Sequence, residues 1–249
     1  MHISLSAETI FFLGSFPITN SLIASILVSL ILMIGAYFIS KNFNKIPNRA
    51  QNIVEVVIEW MIDLADSIGG KSARQFLPLV ITIFVYILFA NWIGLFPGFG
   101  SIGINEIEEG HEKFIPLLRG ATADLNTTLA LALISVGAIQ YYGILKNKLS
   151  YFKRFINFSS PVDFFTGILE IVSEFAKIIS FSFRLFGNIF AGEVLLVVVA
   201  SLIPIIAPLP FFGLEIFVGL IQALVFSMLT LVFVQMGTIT HGEEVEHGS

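Results

Sequence analysis

Arg184, Asn188 and Glu193 stand in the stretch SFRLFGNIFAGE (182–193), which is embedded in sequence that otherwise belongs in lipid. An arginine side chain keeps its charge in a protein. At the centre of a bilayer that charge costs roughly 3 kcal/mol on insertion scales, so something has to offset it. On a helix, Glu170, Glu174, Lys177, Arg184 and Asn188 fall on one stripe, at offsets 0, 4, 7, 14 and 18. Lys177 is within reach of Glu174 or Glu170. Arg184 has no acid three or four residues away, so its own helix supplies no counter-ion. Ser173, Ser180, Gly187 and Ala191 read as a small-residue seam packed against another helix.

The segment after IPIIAPLP (203–210) carries a matching set. If two helices run antiparallel about Pro204, facing residues sum to roughly 409. Glu193 then meets Glu215, and Asn188 meets Gln222. Glu215, Gly219, Gln222 and Phe226 share one face at helical spacing. Two facing carboxylates in low dielectric hold a proton between them, because both cannot ionise cheaply. That is proton-relay chemistry. The pair lies about 13 Å along the axis from Arg184, and Glu170 about 21 Å in the other direction. One fixed cation between two sets of acids suits two blind proton paths with a barrier between them.

The elements that must hold these groups are membrane helices. Of the 249 residues 56% are hydrophobic and 12% charged, with a mean hydropathy of +0.90; a soluble domain carries about 25% charged residues. The pattern predicts a single all-α polytopic membrane domain over 1–249, with five membrane helices and one interfacial helix. The first span is 18–40. Residues 47–70 form an amphipathic interfacial helix, because Glu55, Glu59, Asp63 and Asp66 recur opposite Val54, Val57, Ile58, Met61 and Leu64. Pro47 opens it and Gly69–Gly70 close it. The second span is 76–96, stopping at Pro97–Gly98, and the third is 123–145. Segments 160–200 and 211–240 form the final hairpin.

Several classes are excluded. There is no cysteine, hence no disulfide, thiolate metal site or cysteine nucleophile. The four histidines lie outside the apolar runs, and HGEEVEH near the end reads as a solvated acidic tail and not a metal site. A net charge of −5 without a basic cluster argues against nucleic acid. No GxxxxGK[ST] phosphate loop occurs. The opening MHISLSAETIFFLG lacks the positive region of a cleavable signal, so the first apolar stretch is expected to be retained. Segments 41–74 and 146–154 carry nine of the thirteen lysines and arginines, while the start, the loop 97–120 and the turn 203–210 carry two. That asymmetry puts the N-terminus outside and the C-terminus in the cytoplasm, with the Glu193–Glu215 pair on the outer side of Arg184.

At these residues the chain resembles subunit a of F-type ATP synthases, of the bacterial type. RLFGNIFAGE matches that family's signature around its essential arginine. ADLNTTLALAL and the ending LVFVQMGTITHGEE are similar too, and the likeness runs from the first span to the tail. The resemblance implies a non-catalytic membrane stator without a cofactor. Its last two helices would be long, tilted and wrapped against a ring of c subunits, each with a buried carboxylate. Peripheral-stalk b subunits and the rest of the complex would be its other partners, in a bacterial plasma or inner membrane. Arg184 would be the essential arginine, with Asn188 and Gln222 its polar neighbours. Glu193 and Glu215 would line the outer half-channel with Asp124 near its mouth, and Glu170 would sit in the cytoplasmic half-channel. In one respect the chain departs from some bacterial members: Glu215 stands where they carry histidine, seven residues before the glutamine. Two other readings compete. A secondary transporter would show two repeated halves with broken helices, and no repeat is present. A passive membrane subunit of a respiratory complex has no need of an intramembrane arginine between acids.

Overall fold

The computed structural model describes residues 7–41, 47–96, 103–108, 111–155, 160–204 and 206–238. The acidic tail with His241 and His247, His2, and the Pro97–Gly98 stop lie outside these residues. Five helices are long and apolar enough to cross a membrane, as expected for an all-α polytopic membrane protein. The chain opens with a hairpin of β1 (Thr9–Leu13) and β2 (Phe16–Thr19), then α1 (Asn20–Lys41), α2 (Arg49–Gly69) and a 3₁₀ segment, Gly70–Phe76. Next come α3 (Leu77–Gly94), a second hairpin of β3 (Gly103–Glu108) and β4 (His111–Pro116), a single turn Ala121–Ala123, and α4 (Leu125–Asn147). The 3₁₀ segment Lys148–Arg154 leads to α5 (Pro161–Leu202) and α6 (Pro208–Thr238).

The two antiparallel hairpins are absent from the sequence reading. Thr9–Thr19 carries no charge, so it merges with the apolar run of α1 when read by hydropathy alone. Caps set the helix limits. The Asn48 side chain accepts from Gln51 N at 2.8 Å, so α2 starts after Pro47 and Asn48, and Gly70 ends it at φ +60°. Asp124 accepts from Asn126 N at 3.2 Å and caps α4. Ser160 caps α5, with Pro161 in its first turn. Pro208 likewise occupies the first turn of α6, so that helix begins three residues before the expected 211: a proline there gives up an N–H that would be unpaired anyway.

α3 packs along α6, and α4 packs along both α5 and α6. Their shared core includes Phe76, Phe84, Ile87, Ile139, Leu185 and Leu231. α2 joins it through Met61 and Ala65, both fully buried, while Glu59 and Asp63 are exposed. α1 packs chiefly through its first half, where Ala24 and Val28 meet Ala90 and Ala121. Polar ties fix the end of the bundle where α1 and α4 start. Ser21 Oγ donates to Asp124 Oδ2 at 2.7 Å, Asn91 Nδ2 to the Gly219 carbonyl at 2.9 Å, and Thr122 Oγ1 to Asn91 Oδ1 at 2.7 Å. Buried polar groups partnered in this way hold α1, α3, α4 and α6 in one register. With 42 residues, α5 is about 63 Å long, twice a hydrocarbon core of roughly 30 Å. A helix of that length crosses obliquely or projects well beyond the lipid.

Candidate functional site, a polar path beside an exposed arginine

The polar residues of α5 separate onto two faces. Phe181, Ser182, Leu185 and Phe186 turn into the bundle and are buried. Arg184 and Asn188 turn outward and are exposed, as are Ser173, Ser180, Gly187 and Ala191. The small residues therefore do not form a seam inside this chain; a Cβ on Gly187 would meet nothing within 4 Å. Arg184 Nη2 donates to Ser180 Oγ at 3.1 Å, one turn away. Among the described residues no carboxylate pairs with Arg184. Asn188 Nδ2 donates to the Arg184 carbonyl at 2.9 Å. Among the described residues no hydrogen bond joins it to Gln222, which is half-buried on α6.

The carboxylates do converge. Glu193 on α5 and Glu215 on α6 line one cavity of about 180 Å³, together with Asn91, Thr122 and Gly120. Glu215 is buried at 6% exposure, and its carboxyl group lies against Gly192, where a Cβ would overlap it. The contact sums to 407, two below the figure read from the turn. Phe181 against Phe226, with ring centroids 5.0 Å apart, gives the same register further along. Glycine at 192 is thus a requirement of close approach and not of backbone conformation.

A partner of this pair escapes the sequence reading. Arg119, which falls within the loop 97–120, is only 8% exposed, and its Nη2 stands 3.6 Å from Glu193 Oε2. No local spacing links residues 119 and 193, so only the fold brings them together. Asp124 is buried at the same end, held by Ser21 and by its own helix cap.

At the opposite end of α5, Glu170 forms an ion pair with Arg154 of the 3₁₀ segment. Lys177 pairs with Glu174 at 2.7 Å, resolving the choice between its two acids, and lies 4.8 Å from the centroid of the Phe233 ring. Tyr151 donates to Gln140 Oε1 at 2.7 Å and packs on Gly143. Burial, followed by the charge of Glu174, raises the Tyr151 phenol above its ordinary pKa.

The arrangement can thus pass a proton to a pair of carboxylates at one end of α5, Glu215 buried and Glu193 partly exposed, while offering an exposed guanidinium to another molecule. The family model for the ATP synthase A chain matches residues 22–235. ATP synthase subunit a of Gloeobacter violaceus is 36% identical over 236 residues, covering 94% of this chain and 87% of that one. The match spans the arginine, both carboxylates and the helices that carry them, and the chain belongs to the ATP synthase A chain family.

Proposed function

We propose that this non-catalytic subunit of ATP synthase supplies two half-channels to the carboxylates of a c-subunit ring, coupling proton flow to ATP synthesis. The observation that carries the reading is the outward face of α5. A permanent cation stands there beside glycine, serine and alanine, and no acid among the described residues pairs with it. A charge so placed in lipid needs an acid from elsewhere, and small neighbours let a second helix approach closely.

A proton from outside enters the cavity beside Glu193 and Glu215, with Asp124 near the mouth, and passes to a ring carboxylate. The neutral carboxyl group then rotates into lipid. After nearly a full turn it meets the inner path near Glu170 and releases its proton to the cytoplasm. Arg184 keeps the arriving carboxylate ionised and blocks direct leakage, with Asn188 and Gln222 flanking the point of transfer. The lysine and arginine asymmetry orients the chain with its N-terminus outside and its C-terminus in the cytoplasm of a bacterial plasma or inner membrane. Peripheral-stalk b subunits would anchor it.

Cysteines introduced at 187, 188 and 191 test this face, since the chain has no native cysteine to interfere. Each is expected to crosslink to a cysteine placed beside the c-subunit carboxylate. Crosslinks formed only within this chain would reject the assignment.

A further inference from the structure

The hairpin of β1 and β2 lies apart from the polar path, and its composition is unusual for a surface ribbon. No charged residue occurs from Thr9 to Ser40. Phe11 pairs with Ile18 and Phe12 with Pro17, so the two phenyl groups leave opposite faces of the ribbon. Phe11 is 51% exposed and Phe12 69%, with Pro17 exposed opposite Phe12, so neither face prefers water. A two-stranded ribbon this short is marginal by itself in water and needs a further surface to pack on.

α1 sets the position of the hairpin relative to the bilayer. β2 runs into α1 without a break, and Asn20 N donates to the Glu8 carbonyl at 3.0 Å, closing the open end of the ribbon. Leu22 N donates to Thr19 Oγ1 at 3.3 Å, which fixes the passage from strand to helix. With 22 residues α1 is about 33 Å long, a match to a hydrocarbon core of roughly 30 Å. Asn20 and Ser21 are buried at its polar end, donating to the Pro116 carbonyl and to Asp124. The ribbon therefore starts at the edge of the hydrocarbon. It cannot enter, because the outer edges of a two-stranded ribbon carry unpaired N–H and C=O groups. Headgroups and their water satisfy those edges, and the adjoining acyl carbons accept phenyl rings. Ile26, Leu27 and Leu30 are exposed from the second turn of α1, so the lipid-facing surface of the span begins close to the hairpin. We propose that residues 9–19 lie in the headgroup layer at which α1 begins, with Phe11 and Phe12 inserted among the lipids as an anchor. The partner of this surface is the lipid that already surrounds α1. The inference does not depend on the half-channel reading.

The test uses the assembled complex in vesicles of phosphatidylcholine and phosphatidylglycerol, its other chains freed of reactive cysteine. Phe11→Cys and Phe12→Cys are each labelled with a nitrobenzoxadiazole fluorophore, and Met33→Cys, exposed further along α1, gives a deep reference. The quenchers are lipids spin-labelled near the headgroup, lipids spin-labelled near the acyl-chain end, and iodide in the water. With the rings about 5–10 Å into the headgroup–acyl boundary, probes at 11 and 12 should be quenched at least about twofold more by the shallow label than by the deep one. The probe at 33 should show the reverse order. A probe on Pro17→Cys should lose at least about half of its shallow quenching when Phe11→Ser and Phe12→Ser are added, because the inserted apolar area is gone. Quenching by iodide alone would put the hairpin in water, and protection from all the quenchers would put another protein chain over it. Either result overturns the inference, as does stronger quenching by the deep label. If cysteine at 11 or 12 prevents assembly, Pro17→Cys decides by the same comparison. None of these outcomes bears on proton passage, which the Arg184 variants test separately.

Discussion

Alanine at position 192 would put a methyl group into the space that the Glu215 carboxyl group fills. The atoms it meets are the far end of a flexible side chain, so α5 and α6 need not separate; Glu215 has to leave its place against α5. Overpacking of this kind costs about 1–3 kcal/mol. Against that, alanine is favoured over glycine inside a helix by about 1 kcal/mol. The net loss, at most about 2 kcal/mol, is small for a helix packed along α4 and α6, so the complex should assemble. The functional effect is larger in relative terms. A bias of about 1.4 kcal/mol against the relaying position of Glu215 is a tenfold effect on rate. Gly192→Ala should therefore lower ATP-driven proton pumping about tenfold at unchanged levels of the chain in the membrane. Adding Glu215→Asp shortens the side chain by one methylene and should recover part of the loss. The assay is acidification of inverted vesicles, normalised to the assembled complex. Wild-type pumping by Gly192→Ala, or a double variant worse than the single one, would refute the contact as the cause.

Two further outcomes follow from the geometry. Glu193→Gln and Glu215→Gln should each slow proton passage, and together they should be little worse than the more damaged single variant, because members of one relay are non-additive. Glu215→His should keep substantial pumping with a changed pH profile, since imidazole titrates near neutrality; fully additive losses would separate the two acids. At the other end of α5, the raised Tyr151 pKa has a definite sign. Its stabilising contribution is complete below the ordinary phenol value of 10.0 and is lost as pH rises through the raised folded value. Tyr151→Phe should cost about 1 kcal/mol at neutral pH through the lost bond to Gln140 and should flatten the alkaline fall in stability. Thermal unfolding of the purified complex from pH 7 to 11 measures both effects, and an alkaline fall identical to wild type would contradict them.

Hydropathy made the five long helices readable, because a continuous apolar run of twenty or more residues has few other uses. It could not show which way their side chains turn. α1, α3, α4 and α6 are only weakly amphipathic, so hydropathic periodicity assigns them no face. The Glu193–Glu215 convergence was legible because a hairpin turn fixes register between its two arms, and the structure departs from the expected sum by only two residues at Gly192. The same arithmetic did not foresee that Asn188 satisfies its amide on the Arg184 carbonyl, since local hydrogen bonding competes with a cross-helix pair. Ser173, Ser180, Gly187 and Ala191 were recognisable as a surface packed against another helix, but sequence alone does not say whether that helix belongs to the same chain. Arg119 was hidden for a different reason. A single arginine at the edge of a polar loop looks solvated, and only the packing of the adjoining turn Ala121–Ala123 against α1, α3, α4 and α5 shows that it is buried.

The central claim is that Arg184 serves a carboxylate outside this chain and separates two proton paths. ATP synthesis by membrane vesicles under an imposed proton gradient tests it most directly. With the complex assembled, Arg184→Ala is predicted to abolish synthesis. Arg184→Lys should fail to restore it fully, because an ammonium lacks the planar fork of guanidinium and can lose its proton when buried. Near-normal synthesis by Arg184→Ala would contradict the account.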